Sequence, residues 1–186
     1  MPTTSLFVQW TFLALAQSGR TDDGLKMLES RFGPQLAAGN GTLWEDWQLN
    51  RTNRRGKWER TSRADAQAEC GIWPMALTRW VGGLEPVAVG MREVIVSRRP
   101  VALQQIGATL PTPLGDLRVA WSTDQSGVGL SATVPPGLVA RLDLLSVGLS
   151  AGQQVLLDGK PLAPTAVTGR WYIIPEGEHR LMFPSR

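Results

Sequence analysis

The sequence predicts an α+β multidomain chain, in which helices are followed by an antiparallel β-sandwich of the jelly-roll kind. Two observations lead to this prediction. In the first half apolar residues recur at helical spacing, whereas after Met91 they alternate with a period of two. Pro, Gly and Asp residues also separate the later apolar segments at short intervals, as in all-β domains. We therefore predict a boundary near residue 90, with a helical part at 1–90 and a β-sandwich at 91–186.

Two helices are predicted at the start of the chain. The apolar run over residues 6–15 is followed by Gly19, and a glycine in this place is typical of a helix C-terminus. Thr21 is expected to cap a second helix, whose acidic first turn interacts favourably with the helix dipole. Gly33-Pro34 is expected to end it, because proline disfavours a continuing helix.

A third helix is predicted from about residue 65 to residue 81, where Gly82-Gly83 follows. Pro74 lies inside this stretch and implies either a kink or a late helix start. Three helices leave apolar side chains of the first helix, such as Phe12, with little to pack on. We therefore expect the chain to belong to a larger protein.

Eight short strands are predicted after Met91. Turn residues separate them, and Asp158-Gly159 is a strong signal for a type I′ hairpin turn. The segments are rich in Val, Leu, Ile, Thr and Trp. They run over residues 92–96, 102–110, 115–123, 128–134, 138–145, 153–157, 170–174 and 178–183.

Composition excludes few functions. The net charge of +3 is small, and attraction to polyanions depends on clustered charge more than on a small excess. Cys70 is the sole cysteine, so the chain cannot form an internal disulfide. No apolar stretch is long enough to span a membrane. Eight tryptophans suit either a large core or stacking on sugar rings.

The candidate site is a short segment between the second and third helices. After three small residues, Trp44, Glu45, Asp46 and Trp47 follow one another. A carboxylate between two aromatic rings can lose solvent, which raises its pKa and makes it a stronger base. Such a group also suits a sugar subsite, where rings stack on the sugar and an acid faces the anomeric carbon. An ordinary loop with Glu45 capping a helix explains the same residues.

These residues belong to a longer series of motifs that resembles family 78 α-L-rhamnosidases, from the end of the barrel onward. The resemblance covers nearly the whole chain, in the order of the family. The motifs are Leu-Ala-Gln-Ser-Gly-Arg20, Arg31-Phe-Gly-Pro34, Gly41-Thr-Leu-Trp-Glu45, Ile72-Trp-Pro74, Val81-Gly-Gly-Leu-Glu-Pro86, Thr112-Pro-Leu-Gly115, Val119-Ala-Trp121, Val134-Pro-Pro-Gly137 and Pro175-Glu-Gly-Glu-His-Arg180.

The resemblance implies the last helices of an (α/α)6 toroid, followed by a β-sandwich, in an enzyme that hydrolyses terminal α-L-rhamnosides with inversion. It also implies that Glu45 is the general base, with Trp44, Asp46 and Trp47 near the sugar. Gln67 aligns where many relatives carry histidine, and glutamine cannot become cationic. The general acid of the family has no counterpart here, so the chain alone is expected to be inactive. The missing N-terminal part of the same protein would supply it.

No metal site, cofactor or nucleic-acid partner is expected. His179, the only histidine, has no metal-ligand partners at suitable spacing, and we expect it to be a surface or packing residue. The basic segment 51–63 is interpreted as a solvated loop or a rim near an acidic polysaccharide. The expected partner is a rhamnose-containing carbohydrate, and the compartment stays open. The alternative function is a carbohydrate-binding or structural module without chemistry of its own.

Overall fold

The structure is a computed structural model that describes residues 5–37, 71–148, 155–162 and 170–185. The chain divides into two compact units, Met1–Leu77 and Thr78–Arg186, called here the helical unit and the β unit. The helices are α1 (Ser5–Gln17), α2 (Thr21–Ala37) and α3 (Trp73–Trp80). The strands are β1 (Leu84–Pro86), β2 (Glu93–Val96), β3 (Gln105–Thr112), β4 (Gly115–Asp124), β5 (Gly127–Val134), β6 (Val139–Asp143), β7 (Leu156–Leu157), β8 (Lys160–Pro161), β9 (Trp171–Ile174) and β10 (Gly177–Pro184).

Helix α1 ends at the predicted glycine. Gly19 adopts a φ of +76°, a left-handed conformation that glycine reaches without a Cβ clash. The Gly19 N–H donates to the Ala16 carbonyl (3.2 Å), and the Arg20 N–H donates to the Leu15 carbonyl (2.8 Å). This pair of bonds is a Schellman motif, which satisfies carbonyls that the helix end leaves free.

Helix α2 differs from the prediction at both ends. The Gly24 N–H donates to the Arg20 carbonyl (3.2 Å), so the N-cap residue is Arg20, and the predicted cap Thr21 is the first helical residue. The predicted end at Gly33-Pro34 is wrong, since the helix continues to Ala37. Proline at position 34 removes one backbone donor, and the rest of the helix tolerates this local loss. The acidic first turn, Asp22 and Asp23, is as predicted.

The core of the helical unit is built around Phe12, which is fully buried. A Cβ added to Gly24 of α2 would lie 2.7 Å from the Phe12 ring, so only a glycine lets α2 approach α1 this closely. The Trp73 ring meets the Phe12 ring edge-on at 5.7 Å between centroids. The expectation that Phe12 has little to pack on is therefore wrong, because α2 and the first turn of α3 cover it.

Helix α3 begins late. It starts at Trp73, so Pro74 lies in the first turn, where a backbone N–H would have no acceptor within the helix. This is the late start that Pro74 implies in the sequence. The predicted residues 65–70 of this helix lie outside the described residues. The helix ends before Gly82-Gly83, and Gly83 has a φ of +76°.

The β unit contains two mostly antiparallel sheets. The four-stranded sheet has the order β1-β2-β6-β9, and the six-stranded sheet has the order β3-β4-β5-β10-β7-β8. Alternate residues of each sheet are buried, as Leu117, Val119 and Trp121 are in β4. The Trp121 indole N–H donates to the Gly82 carbonyl (3.2 Å), just before β1, and so links the two sheets.

The predicted strands all overlap observed ones, but two strands and one pairing were not foreseen. Strands β1 and β8 are only three and two residues long, too short for a clear alternation. Strand β2 pairs with β6 in parallel, as in Val94 opposite Ala140, so a wholly antiparallel sandwich is wrong at this position. The type I′ turn is confirmed, since Asp158 and Gly159 have φ values of +51° and +78° between β7 and β8.

None of the helices in the described ranges is long and apolar enough to cross a membrane. Along the chain the β unit begins at Thr78, and its first strand, β1, belongs to the four-stranded sheet. The assignment of 1–90 to a barrel and of 91–186 to a jelly-roll sandwich stays a prediction.

Candidate functional site

The predicted site residues all lie outside the described residues. These are Trp44, Glu45, Asp46, Trp47 and Gln67, and the basic segment 51–63 lies there too. The structure does describe the two elements from which their segment leaves and to which it returns. Those elements are the end of α2 and the start of α3.

Both ends of the candidate segment are held by one aromatic cluster. The Phe32 ring, near the end of α2, meets the Trp73 ring at the start of α3 edge-on, at 5.5 Å between centroids. Trp73 is 7% exposed and also contacts Phe12 of α1. Edge-to-face ring pairs of this kind contribute about 0.5–1.5 kcal/mol beyond simple burial. The segment that carries Glu45 therefore begins and ends at neighbouring points of the helical unit.

Among the described residues of the helical unit, two polar atoms are buried without a hydrogen-bond partner. They are the Trp73 indole nitrogen and the Gln9 side-chain oxygen. A buried polar atom without a partner costs about 1–3 kcal/mol. Sequence reasoning missed both, because burial of Gln9 depends on packing between helices and not on the pattern within α1.

In the β unit, the most buried acid is held by a bidentate ion pair. The Arg170 guanidinium donates to both Asp143 oxygens, at 2.9 and 2.5 Å, and its plane lies 4.8 Å from the centre of the Trp171 ring. The hydrogen bond from Arg170 lowers the pKa of Asp143 below its ordinary value, against the opposing effect of burial. A general acid needs a raised pKa, so Asp143 suits a structural role.

A second charged cluster surrounds Trp80 at the end of α3. Arg79 and Arg99 lie over the Trp80 ring, at 5.4 and 5.0 Å from its centre. Both guanidinium groups also pair with Glu85 of β1, with 3.1 Å between Arg99 and the carboxylate. The cluster fixes the last turn of α3 on the first strand of the β unit.

The third group involves the only histidine. The His179 ring nitrogens lie 2.9 Å from the Asp158 carboxylate and 3.0 Å from the Glu176 carbonyl. The Asp158 carboxylate also accepts from the Arg180 N–H (2.8 Å), and the Glu176 side chain accepts from the Gly137 N–H (2.7 Å). The expectation of a surface or packing residue missed this network. Only the hairpin turn predicted at Asp158 could have pointed to it.

A shallow cavity of about 610 Å³ lies on the six-stranded sheet next to this histidine. Gly107, Ala120 and Ser131 stand side by side on β3, β4 and β5 and form its floor. Arg118 and Glu178 are among the charged residues that line it. In the described part of the chain no three His, Cys, Asp or Glu side chains are grouped so that they could hold a metal ion.

Comparisons with known proteins point to one kind of enzyme. Residues 83–155, inside the β unit, match the family model for the bacterial alpha-L-rhamnosidase C-terminal domain. Among solved structures, the chain is similar to an α-L-rhamnosidase from Streptomyces avermitilis complexed with L-rhamnose, with 21% identity and a TM-score of 0.65. A comparison with curated proteins found no match.

Two further solved structures share the fold. An α-L-rhamnosidase from Dictyoglumus thermophilum gives 17% identity and a TM-score of 0.69, and one from Aspergillus terreus gives 21% and 0.60. The three similarities cover 91%, 94% and 91% of this chain. They cover 17%, 20% and 18% of the respective solved chains, so this chain spans about a fifth of their length or less.

The matched family model and the shared fold make this chain similar to the C-terminal regions of glycoside hydrolases. Within that class, the chain resembles the C-terminal part of a family 78 α-L-rhamnosidase-like protein. The resemblance identified from the sequence motifs is thereby confirmed. The family match, over residues 83–155, lies in the β unit and does not include residues 44–47.

Proposed function

We propose that this chain supplies the general-base side of the cleft in an inverting glycoside hydrolase that cleaves terminal α-L-rhamnosides or a related sugar. The observation that carries the proposal is the Thr-Leu-Trp-Glu45 motif, in a chain that shares the fold of α-L-rhamnosidases over nine-tenths of its length. Helices α1 to α3 would then be the last helices of an (α/α)6 toroid.

Glu45 is the proposed base. In an inverting mechanism a carboxylate takes a proton from water while that water attacks the anomeric carbon from the face opposite the leaving group. The neighbouring Trp44 and Trp47 would exclude water from one side of the carboxylate, which raises its pKa toward the working range of a base.

The neighbours of Glu45 have proposed roles in substrate binding. Trp44 and Trp47 offer flat faces for the C–H surface of a sugar ring, while Asp46 and Gln67 offer hydrogen bonds to its hydroxyl groups. The Phe32 and Trp73 rings, which meet edge-on, bring the described ends of this segment close together.

The general acid must come from elsewhere. In the β unit the pKa values of Asp143 and Asp158 are lowered, mainly by the Arg170 side chain and the Arg180 backbone N–H respectively, whereas an acid catalyst needs a raised pKa. The solved relatives are five to six times longer than the matched region. We propose that the acid belongs to the part of such an enzyme that this chain does not include.

The decisive variant is Glu45→Gln, made in a protein that joins this chain to an upstream barrel bearing the acid. Glutamine keeps the shape and most hydrogen bonds but cannot accept the proton. General-base catalysis contributes about 10²–10⁴-fold, so kcat on an aryl α-L-rhamnoside should fall by that order. The KM should change little, and azide should restore part of the rate, because a small anion attacks without a base.

Trp44→Ala is the matched control, because it should raise KM through loss of a stacking face while the proton acceptor remains. If Glu45→Gln leaves kcat within a factor of about three, far below the range for a general base, Glu45 is not the base. Asp46→Gln would then be the next variant to measure. The chain 1–186 by itself should show no turnover at ordinary enzyme rates.

The second candidate is a binding or structural module without chemistry. One observation favours it: the family match at residues 83–155 lies wholly in the β unit and does not include the motif around Glu45. Titration of the intact chain with L-rhamnose, followed by tryptophan fluorescence, locates the sugar site, while the rate of Glu45→Gln tests whether the segment takes part in chemistry. Binding that Trp44→Ala weakens supports the helical segment as the sugar site. Binding that this variant leaves unchanged supports a site in the β unit.

A further inference from the structure

His179 sits where three turns of the β unit meet. The β7–β8 turn contributes Asp158, the β9–β10 turn contributes Glu176, and the β5–β6 turn contributes Gly137, which donates to the Glu176 side chain. One imidazole therefore connects a two-stranded hairpin at the edge of the six-stranded sheet to a turn between two other strands.

Both ring nitrogens of His179 face oxygens that can only accept. Nδ1 lies 2.9 Å from a carboxylate oxygen of Asp158, and Nε2 lies 3.0 Å from the Glu176 carbonyl oxygen. A neutral imidazole carries one N–H, so it can satisfy one of these contacts and must turn a lone pair toward the other oxygen. The imidazolium carries two N–H groups and satisfies both.

The carboxylate of Asp158 is held for this contact by its own turn. Its second oxygen accepts from the Arg180 N–H, and the Asp158 N–H donates to the Arg180 carbonyl, both at 2.8 Å. The residue stands in the left-handed region, with a φ of +51°, where aspartate and asparagine are tolerated better than most residues. The hairpin is thus joined to β10 next to the histidine.

The other charged groups around the His179 ring carry charges of both signs. Glu178, Arg180 and Arg118 line the adjoining cavity together with His179 and Asp158. Lys160 of β8 acts on Asp158 and favours its ionised form. Burial raises the pKa of Tyr172 of β9, and the negative charge of Asp158 raises it further. The carboxylate of Glu176 is turned to Gly137, so only its carbonyl faces the ring.

We propose that His179 is a proton-controlled latch, which as imidazolium holds the β7–β8 hairpin and the β9–β10 turn together and on losing a proton releases one of the two contacts. Deprotonation removes one N–H and the positive charge that Asp158 faces. The hairpin then opens more often, while β3 and β4, which β5 separates from the strand that carries His179, keep their pairing.

The direction of the pH effect follows from the two partners. The hydrogen bond with Asp158 raises the pKa of His179 above its ordinary value of 6.5. The stabilisation it contributes is therefore complete below about pH 6.5 and disappears as the pH rises through the raised pKa. The pKa of Asp158 is lowered, mainly by the Arg180 N–H and then by His179, so its contribution is complete above its ordinary value of 3.8. The latch is closed between these values and opens as the pH rises through the raised pKa of His179.

The test uses the whole chain, in which His179 is the single histidine. The Cε1–H resonance of the imidazole is followed by NMR as a function of pH, and gives the pKa without assignment ambiguity. Amide hydrogen exchange of Asp158 and Lys160 is measured over the same range and expressed as protection factors, which correct for the intrinsic rise of exchange with pH. We expect hairpin protection to fall as the imidazole deprotonates, with Leu117 of β4 unchanged.

Asp158→Asn and Asp124→Asn form a matched pair of variants. Asparagine tolerates the left-handed conformation at 158 and keeps an oxygen for the Arg180 N–H, but it lacks the charge. The pKa of His179 should fall in Asp158→Asn, and the pH dependence of hairpin protection should disappear. Asp124 serves a similar turn, where it accepts from the Ser126 N–H (2.7 Å), and its replacement should leave the pKa of His179 unchanged.

Two results would overturn the latch. One is a pKa of His179 that is no lower in Asp158→Asn than in the unmodified chain. The other is hairpin protection that stays constant in the unmodified chain while the imidazole titrates, a result that does not depend on any variant folding correctly.

Discussion

The helical unit and the β unit use their polar residues differently. In the β unit Glu85 and Asp143 each pair with an arginine and Asp158 pairs with His179, and these contacts join strands and turns to one another. In the helical unit the residues proposed for chemistry lie on the segment between α2 and α3, and the described helices hold its two ends. The difference shows that the family match in the β unit concerns a region without the residues proposed for chemistry. Those residues belong to the helical unit.

The two units also depend on different kinds of contact. The β unit is built from repeated strand pairing, in which β3, β4, β5 and β10 share long registers. The helical unit depends on a few contacts between distant parts of the sequence, above all those of Phe12 with Gly24 and Trp73. We therefore expect a single core substitution to lower the free energy of unfolding of the helical unit more than that of the β unit.

The largest expected effect is on the thermal melting of the β unit, and it depends on the residue at which the polypeptide begins. Residues 78–186 should fold alone, with β-type circular dichroism and a cooperative melting transition. Residues 91–186 lack Leu84, which is 1% exposed, and Gly82, whose carbonyl accepts from Trp121. Loss of one buried leucine side chain costs about 2–5 kcal/mol, a large share of the stability of a domain. The shorter polypeptide should melt at a clearly lower temperature or without cooperativity, and equal melting of the two would place the boundary near residue 90.

The next effect is confined to the helical unit. Phe12→Ala should lower the free energy of unfolding of that unit by about 3–5 kcal/mol, because it leaves a cavity between the rings of the cluster and Gly24. Trp10→Ala on the same helix is the control, since Trp10 is 60% exposed and surface changes stay within about 0.5 kcal/mol. Denaturant unfolding followed by helical circular dichroism measures both. Similar losses in the two variants would contradict the packing around Phe12.

The smallest effect is expected in a comparison of two glycines of α2. Gly24→Ala places a Cβ 2.7 Å from the buried Phe12 ring and should destabilise the unit by about 1–3 kcal/mol. Gly33→Ala brings its added Cβ within 4 Å of no atom beyond its chain neighbours, but the following Pro34 disfavours a helical residue that has a Cβ, so the stability should change by less than about 1 kcal/mol. Thermal melting of the two variants gives the signs. Stabilisation by Gly24→Ala would mean that helix propensity, and not contact with α1, decides this position.

The sequence by itself determined the elements whose cause is local. Alternation located most strands, Gly19 ended α1, and Asp158-Gly159 formed its type I′ turn, because backbone conformation at these places depends on the residues themselves. The motifs around Glu45 and Trp73 also identified the resemblance to α-L-rhamnosidases, but the structure does not describe the proposed catalytic residues.

Tertiary structure alone decided the rest. The parallel pairing of β2 with β6 joins segments about 45 residues apart, and strand periodicity is the same for either direction of pairing. Helix α2 continues through Pro34 because one missing backbone donor costs less than the surrounding helix contributes. Phe12 is buried because Gly24 and Trp73 reach it, and His179 finds two acceptors because three turns converge. Such contacts depend on which distant residues meet, which a pattern of neighbours along the chain does not contain.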